Sequence, residues 1–272
     1  MPTISARNAV ENPVENPVEN PVENPVVDRS VMPNHIVNGR TELCDRLLES
    51  PIPRHELIRN LGLYMLPMEV RRTLFFSDLY QQIMNVPGVI LEFGTRWGQN
   101  LAIMQSLRSI LEPYHHRRRI VGFDTFEGFP SVAPEDGSAD AAHVGAYAVT
   151  DNYAEYLREL MALREQQSPL PEVRKFEIIK GNAPEQLELY LKRHPETIVA
   201  LAYFDMDLYQ PTVDCLKLLS GRLTKGTVVG FDELNHAAFP GETTAVREVL
   251  GLSSVRLKRS PWSGDESYFV VE

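Results

Sequence analysis

Hydrophobic and polar positions follow two different rhythms along the chain. In residues 41–85, apolar side chains recur three and four positions apart, which predicts helices in TELCDRLLES, HELIRNLGLYML and VRRTLFFSDLYQQIMN. The spacing in the last segment predicts one buried face formed by Val70, Leu74, Phe75, Leu79 and Ile83. We interpret these segments as a helical layer that packs on a core, and that could also roof a pocket or pair with a second subunit.

From Gly88 onward, short apolar runs alternate with helix-like segments. The predicted strands lie in GVILEFG, RRRIVGFDTF, KFEIIKGNA, TIVALAYFDMDLY and GTVVGFDELN, and each precedes a helical pattern. This alternation predicts an α/β fold with a parallel sheet covered on both faces. The last two strands, in SVRLKR and SYFVVE, are joined by a short loop that contains Gly264, which favours an antiparallel hairpin. We therefore expect seven strands, mostly parallel.

A proline repeat precedes the helical layer. Residues 11–26 read ENPVENPVENPVENPV, and proline at every fourth position excludes both a regular helix and a central strand. An extended or polyproline-like tail is expected, either without a role of its own or lying as a strap on a neighbouring subunit or over the site. The predicted division is a tail in residues 1–31, the helical layer in 32–87 and the α/β domain in 88–272.

Composition and charge exclude several kinds of partner. The chain has 272 residues, of which 43% are hydrophobic, so a sizeable core can form. A net charge of −10 argues against binding to nucleic acid or to an anionic membrane. No apolar run approaches the roughly 20 residues of a membrane span, and no signal peptide is evident. Cys44 and Cys215 stand far apart, as expected of reduced thiols in a cytoplasmic protein.

The stretch LEFGTRWGQN joins a strand to a helix at the kind of turn where open α/β sheets bind ligands. Gly94 and Gly98 let the backbone approach a ligand closely, and Glu92 suits an ammonium group such as that of S-adenosylmethionine (SAM). Asp124, at the next strand end, is placed for ribose hydroxyls. A nicotinamide cofactor would use Asp124 in the same way, but the turn lacks the full G-x-G-x-x-G pattern. The predicted cofactor-binding residues are Glu92, Gly94, Thr95, Gly98, Asp124, Thr125, Phe126, Gly181, Asn182 and Asp205.

Carboxylates follow the fourth and fifth predicted strands, in FDMDLY and FDELN. If these strands are neighbours, three or four like charges converge beside the cofactor, and protons or a cation must offset them. Ligands that are all oxygen favour a hard ion such as Mg²⁺. Alternatively, some of these carboxylates cap helices or face solvent.

Several of these blocks together resemble one family. LEFGTRWGQN, FDTFEGFP, FDMDLYQPT, GFDELN and FPGETTAV are similar to the motifs of the macrocin O-methyltransferase (TylF-like) family, over about residues 60–272. The resemblance implies the class I SAM-methyltransferase fold, which is Rossmann-like, and methyl transfer to a hydroxyl of a rhamnose-like 6-deoxysugar in antibiotic biosynthesis. It also implies Mg²⁺ dependence and a homo-oligomer.

Carried over to this chain, the family's pattern implies that Asp205 is a metal ligand and the general base, and that Asp232 and Glu233 complete the metal site. Two residues depart from that pattern. Glu233 replaces the second aspartate of an Asp-Asp pair, and Met206 replaces the glycine of an Asp-Gly-Asp block. The longer glutamate side chain could shift the metal geometry or lose the ion.

Other residues leave alternatives open. His236 follows the fifth strand and is either a second candidate base, a substrate contact or a surface histidine. Residues 131–147, which contain His143, form either a lid or a solvated loop. A cephalosporin-hydroxylase-like enzyme would need iron and a histidine-carboxylate set, for which only His236 is near. An inactive SAM-binding assembly protein on the same fold is a further alternative.

Overall fold

The computed structural model describes residues 34–262 and 264–272. The ENPV repeat, and with it the predicted tail in residues 1–31, lies outside the described residues. None of the helices in the described part is long and apolar enough to cross a membrane.

Seven strands form one mixed sheet. They are β1 (Val89–Phe93), β2 (Ile120–Asp124), β3 (Phe176–Lys180), β4 (Val199–Phe204), β5 (Leu223–Phe231), β6 (Lys258–Arg259) and β7 (Ser267–Val270). Their order across the sheet is β3-β2-β1-β4-β5-β7-β6. The first five strands pair in parallel, whereas β7 runs antiparallel to both β5 and β6. The predicted parallel sheet with an antiparallel hairpin at its end is confirmed.

Eight α-helices surround the sheet in the described part of the chain. They are α1 (Asn34–Leu48), α2 (Arg54–Leu57), α3 (Pro67–Ile83), α4 (Gln99–Leu111), α5 (Tyr153–Glu165), α6 (Ala183–Arg193), α7 (Tyr209–Leu219) and α8 (Gly241–Val249). Two 3₁₀ helices, Ile58–Leu63 and Pro134–Asp136, complete the set. The second predicted helix is therefore only one α-helical turn followed by a 3₁₀ helix.

The sheet lies between two helical layers, each with its own apolar core. One core joins the sheet to α3, α4 and α5, and the other joins it to α6, α7 and α8. All six residues of β4 are buried, which explains the uninterrupted apolar run VALAYF. This central strand is covered on both faces, so its carboxyl end is held rigidly at the edge where ligands bind.

The buried face of α3 matches the predicted one at Phe75, Leu79 and Ile83 and differs at two positions. Val70 and Leu74 are 42% and 36% exposed. The buried residues of this helix are Phe75, Phe76, Leu79, Tyr80 and Ile83. The helix is thus rotated so that Phe76 meets the ring of Tyr203 on β4, with 4.8 Å between ring centroids. Spacing alone could not choose between adjacent apolar stripes, because both are compatible with a helical period.

Candidate active site

A cavity of about 330 Å³ opens at the carboxyl ends of the parallel strands. It lies where β2 and β4 flank β1, the point from which the chain builds the sheet in opposite directions. Ligands of open α/β sheets bind at this position. The lining comes from the loops after β1 to β5, from α3 and from the segment after Gly128.

The turn after β1 has no room for a side chain at Gly94. Its φ is +91°, and a Cβ atom there would lie 1.7 Å from the backbone oxygen of Asp205. Gly94, Thr95, Arg96 and Trp97 all line the cavity. Gly98, also predicted to bind the cofactor, does not line it. A Cβ on Gly98 would instead lie 2.5 Å from Leu157 Cδ1, so this glycine allows close packing of α5.

Glu92 is fully buried at the end of β1, behind the cavity lining. One of its oxygens, Oε2, accepts a hydrogen bond from Thr95 Oγ1 at 3.2 Å. The other, Oε1, has no hydrogen-bond partner among the described residues. Burial and the nearby charge of Asp205 raise the pKa of Glu92 well above its usual value. A buried carboxylate oxygen without a partner is the arrangement expected where a ligand ammonium group supplies the missing donor.

Asp124 ties two loops together at the end of β2. Its Oδ2 accepts a hydrogen bond from Arg96 N at 2.7 Å, and its Oδ1 accepts one from Phe126 N at 2.5 Å. Burial raises the pKa of Asp124, while these backbone donors lower it. Asp124 and Thr125 line the cavity, where a carboxylate can also accept a hydrogen bond from a ribose hydroxyl. Phe126 does not line it, because its ring packs in the core.

Beyond β3, Gly181 and Asn182 form the adjoining part of the cavity wall. Gly181 N donates to Asp124 O at 2.8 Å, which keeps the loops after β2 and β3 together. The close approach at Gly94 and the carboxylate of Asp124 therefore fit SAM along one side of the cavity, whereas Glu92 is buried behind the lining residue Thr95 and its contact with SAM stays a prediction.

Four carboxylates converge at the ends of β4 and β5, as the sequence predicts. Asp205, Asp207, Asp232 and Glu233 all line the cavity. Burial and the charge of Asp232 raise the pKa of Asp205 to about 7. Burial and the neighbouring carboxylates also raise the pKa of Asp207 and of Glu233. Asp205, Asp207 and Glu233 therefore hold protons more tightly than isolated carboxylates do.

The cation that meets this cluster is a side chain from α3. Arg72 Nη2 donates to Asp205 Oδ2 and to Asp232 Oδ1, both at 2.8 Å. Its Nε donates to Asn100 Oδ1 at 2.8 Å, and Asn100 Nδ2 donates to Asp205 Oδ2 at 3.1 Å. Burial lowers the pKa of Arg72, but the two carboxylates raise it more, so the guanidinium remains charged.

This arrangement does not fit a resident divalent ion. Across the described residues, no group of three or more His, Cys, Asp or Glu side chains is placed to hold a metal. The oxygens of Asp205 and Asp232 that face each other share one nitrogen of Arg72 instead. The Mg²⁺ site assigned to Asp205, Asp232 and Glu233 stays a prediction.

His236 lies beside the cavity and does not line it. Its Nδ1 is 3.5 Å from Glu233 Oε2 but makes no hydrogen bond, and its ring stacks on Phe239 with 5.9 Å between centroids. Its role as a base stays a prediction.

Residues 129–147, which include the predicted lid or loop at 131–147, adjoin the cavity at both ends. Phe129 forms a small apolar cluster with Leu208, from the loop after β4, and Phe239, from the loop after β5. Asp136 Oδ1 accepts a hydrogen bond from Tyr209 N at 2.5 Å, which fixes the middle of the segment. Of the predicted segment at residues 131–147, Tyr147 lines the cavity, as do Phe129 and Pro130 just before it, and the choice of a lid over a solvated loop stays a prediction.

Sequence reasoning missed Arg72, Asn100 and Glu242. Arg72 could have been identified only as a polar residue that lies one helical turn before the buried Phe76. Asn100 stands in the first turn after the glycine loop, where ligand contacts are common. Glu242 is fully buried and accepts hydrogen bonds from the backbone of Met206 and Asp207, at 3.1 and 3.4 Å. It supports the carboxylate loop from behind.

Comparison with known proteins identifies relatives among solved structures. No family model matches the chain, and no curated protein matches it significantly. The calicheamicin methyltransferase CalS11 is 36% identical, with 98% of this chain and 99% of that chain covered and a TM-score of 0.86. A second structure, described as apo CalS11, a TDP-rhamnose 3'-O-methyltransferase of calicheamicin biosynthesis, is 36% identical, with coverages of 88% and 95% and a TM-score of 0.78.

The O-methyltransferase NovP is 20% identical, with 74% of this chain and 80% of that chain covered, and its TM-score of 0.54 shows the fold alone. The identity to CalS11 confirms the resemblance to sugar O-methyltransferases seen in the sequence, and it does not favour the hydroxylase, oxidoreductase or inactive alternatives. The cavity and the relatives agree, and the chain belongs to the SAM-dependent sugar O-methyltransferases of antibiotic biosynthesis, of the calicheamicin type.

Proposed function

We propose that this enzyme methylates a hydroxyl of rhamnose, or of a closely similar 6-deoxysugar, while the sugar is carried on a nucleoside diphosphate. The observation that carries the proposal is the 36% identity, over 88% of this chain, to a protein described as a TDP-rhamnose 3'-O-methyltransferase. By that similarity, the 3' hydroxyl is the position methylated.

Asp205 is the candidate general base. Its Oδ2 is held by Arg72 and Asn100, whereas its Oδ1 accepts no hydrogen bond from the described residues. A carboxylate with a pKa of about 7 can take a hydroxyl proton near neutral pH. SAM, when bound, would supply the methyl group from its sulfonium centre. The rest of the cofactor would then leave as a neutral thioether.

The remaining residues position the reactants. Glu92 and Gly94 place the amino-acid end of the cofactor, and Asp124 places its ribose. The predicted lid at residues 131–147 excludes water, and Tyr147 at its end lines the cavity. In-line transfer depends mainly on such positioning, which brings the hydroxyl oxygen into contact with the methyl carbon.

The direct test is an assay with SAM and TDP-rhamnose, in which mass spectrometry detects the methyl group and NMR locates it. We expect a single 3'-O-methyl product. Replacing Asp205 in D205N should lower kcat by about 10²- to 10⁴-fold, as expected for loss of a general base. D214N, on the outer part of α7, is the matched control. Methylation only of glycosides already attached to an aglycone would contradict the nucleotide-linked substrate.

We also propose a homo-oligomer in the cytoplasm. Helix α1 has no buried residue, and Ile36, Leu48, Ile58 and Leu63 of the N-terminal layer are exposed. Such a concentration of apolar side chains supports a contact between subunits. Two free cysteines are compatible with a reducing compartment. Light scattering after size-exclusion chromatography would measure the mass, and a monomer at micromolar concentration would contradict the oligomer.

A further inference from the structure

The position of Arg72 is fixed by the same contacts that hold α3 on the sheet. Phe76 follows Arg72 by one helical turn, so both side chains lie on the same face. Phe76 packs edge-on against Tyr203, and the hydroxyl of Tyr203 donates to Asp232 Oδ1 at 2.7 Å. The packing of Phe76 on Tyr203 therefore fixes the position of α3 and, with it, the position of the Arg72 guanidinium beside the carboxylates.

The two carboxylates depend on this one cation. Among the described side chains, only Arg72 forms an ion pair with Asp205 or with Asp232. Arg96 also lines the cavity, but its guanidinium lies over the ring of Tyr147, 4.9 Å from the centroid. Without Arg72, two nearby carboxylates would carry uncompensated charge in a partly buried site, which is the condition that favours uptake of a metal ion.

A divalent ion on the same oxygens would meet Arg72 directly. Mg²⁺ binds carboxylate oxygens at about 2.1 Å, and Arg72 Nη2 lies 2.8 Å from Asp205 Oδ2, so the ion would lie within about 5 Å of that nitrogen. The guanidinium cannot relieve the repulsion by losing its proton, because arginine stays protonated in proteins. The Arg72 side chain would have to give up its hydrogen bonds to Asp205 Oδ2 and Asp232 Oδ1.

We propose that Arg72 holds the cation position between Asp205 and Asp232, and that the guanidinium and a divalent cation exclude each other there. Arg72 is then a positioning residue that keeps metal off the two carboxylates. The inference rests on the proposed function only in that Asp205 belongs to the active site. Its test measures cation binding without sugar, so it can fail or succeed independently of the acceptor.

The experiment compares Mn²⁺ binding to the wild-type enzyme, R72Q and R71Q by electron paramagnetic resonance of free Mn²⁺. Arg71 is the exposed neighbour on the same helix and serves as the matched control. We expect R72Q to bind Mn²⁺ at least tenfold more tightly than the wild type or R71Q. The double variant R72Q/D232N should lose this gain, which would place the ion at the Arg72 site.

Equal binding by R72Q and the wild type would overturn the proposal, and so would a gain that persists in R72Q/D232N. A measurement on the wild type covers the case in which R72Q does not fold. Mutual exclusion predicts that millimolar Mg²⁺ leaves the melting temperature of the wild-type enzyme unchanged. A rise that D232N abolishes would show that metal binds beside Arg72, contrary to the proposal.

Discussion

At the scale of single residues, Gly94 shows how little space the cofactor turn leaves. A methyl group in G94A would collide with the backbone of Asp205, at a φ of +91° that alanine adopts poorly. We expect the free energy of unfolding to fall by about 3 kcal/mol and SAM binding to be lost. Denaturant unfolding and calorimetry measure both. G39A, where nothing lies within 4 Å of the added atom, should leave both unchanged or slightly stabilise α1.

Glu92 gives a prediction with a defined dependence on pH. In E92Q the side chain keeps its shape but loses the charge for the ligand ammonium, so the Kd for SAM should rise about tenfold or more. Because the folded-state pKa of Glu92 is raised above 4.5, this residue lowers wild-type stability progressively as pH rises above about 4.5. E92Q should therefore be more stable than the wild type at pH 7, and the difference should shrink toward pH 4.5.

The matched control for Glu92 is E159Q, on the exposed side of α5. It should change neither SAM binding nor the pH dependence of unfolding. An E92Q enzyme that binds SAM as tightly as the wild type would remove Glu92 from the cofactor site and leave its burial unexplained.

At the scale of elements, α3 connects the helical layer to the chemistry. Phe76 is fully buried, so F76A should lower the free energy of unfolding by about 3–5 kcal/mol through the cavity it leaves. L74A should cost less than about 1 kcal/mol, because Leu74 is 36% exposed. Chemical denaturation of the two variants measures the difference. Equal losses of unfolding free energy in F76A and L74A would contradict the observed orientation of α3 and support the buried face predicted from spacing.

At the scale of the whole molecule, three distant segments close the cavity. Phe239 holds the lid through the cluster with Phe129 and Leu208, so F239A should loosen the lid without touching the cofactor turn. We expect the KM for the sugar nucleotide to rise roughly tenfold, with the Kd for SAM within about twofold of the wild type. V144A, at an exposed position of the same segment, is the control. Equal effects on both substrates would argue against a lid.

The features that the sequence determined by itself depend on residues that are close together in the chain. The strand runs, the antiparallel end, the glycine turn and the carboxylates after β4 and β5 follow from periodicity and from the rule that parallel strands end at one edge of a sheet. For the same reason Asp124 lies at the end of β2 and lines the cavity, as expected from the sequence. Glycine spacing was less informative, because Gly94 serves the cavity whereas Gly98 serves packing against α5.

Only the tertiary structure decided which groups balance the carboxylates. Arg72 is 133 residues from Asp205 and 160 from Asp232, and no local pattern joins positions so far apart. The sequence indicated that protons or a cation must offset the carboxylates, and the position of α3, set by packing of Phe76 on Tyr203, supplied a guanidinium. Local rules specify which chemical groups reach the strand ends, whereas side-chain packing between distant elements specifies which of them meet.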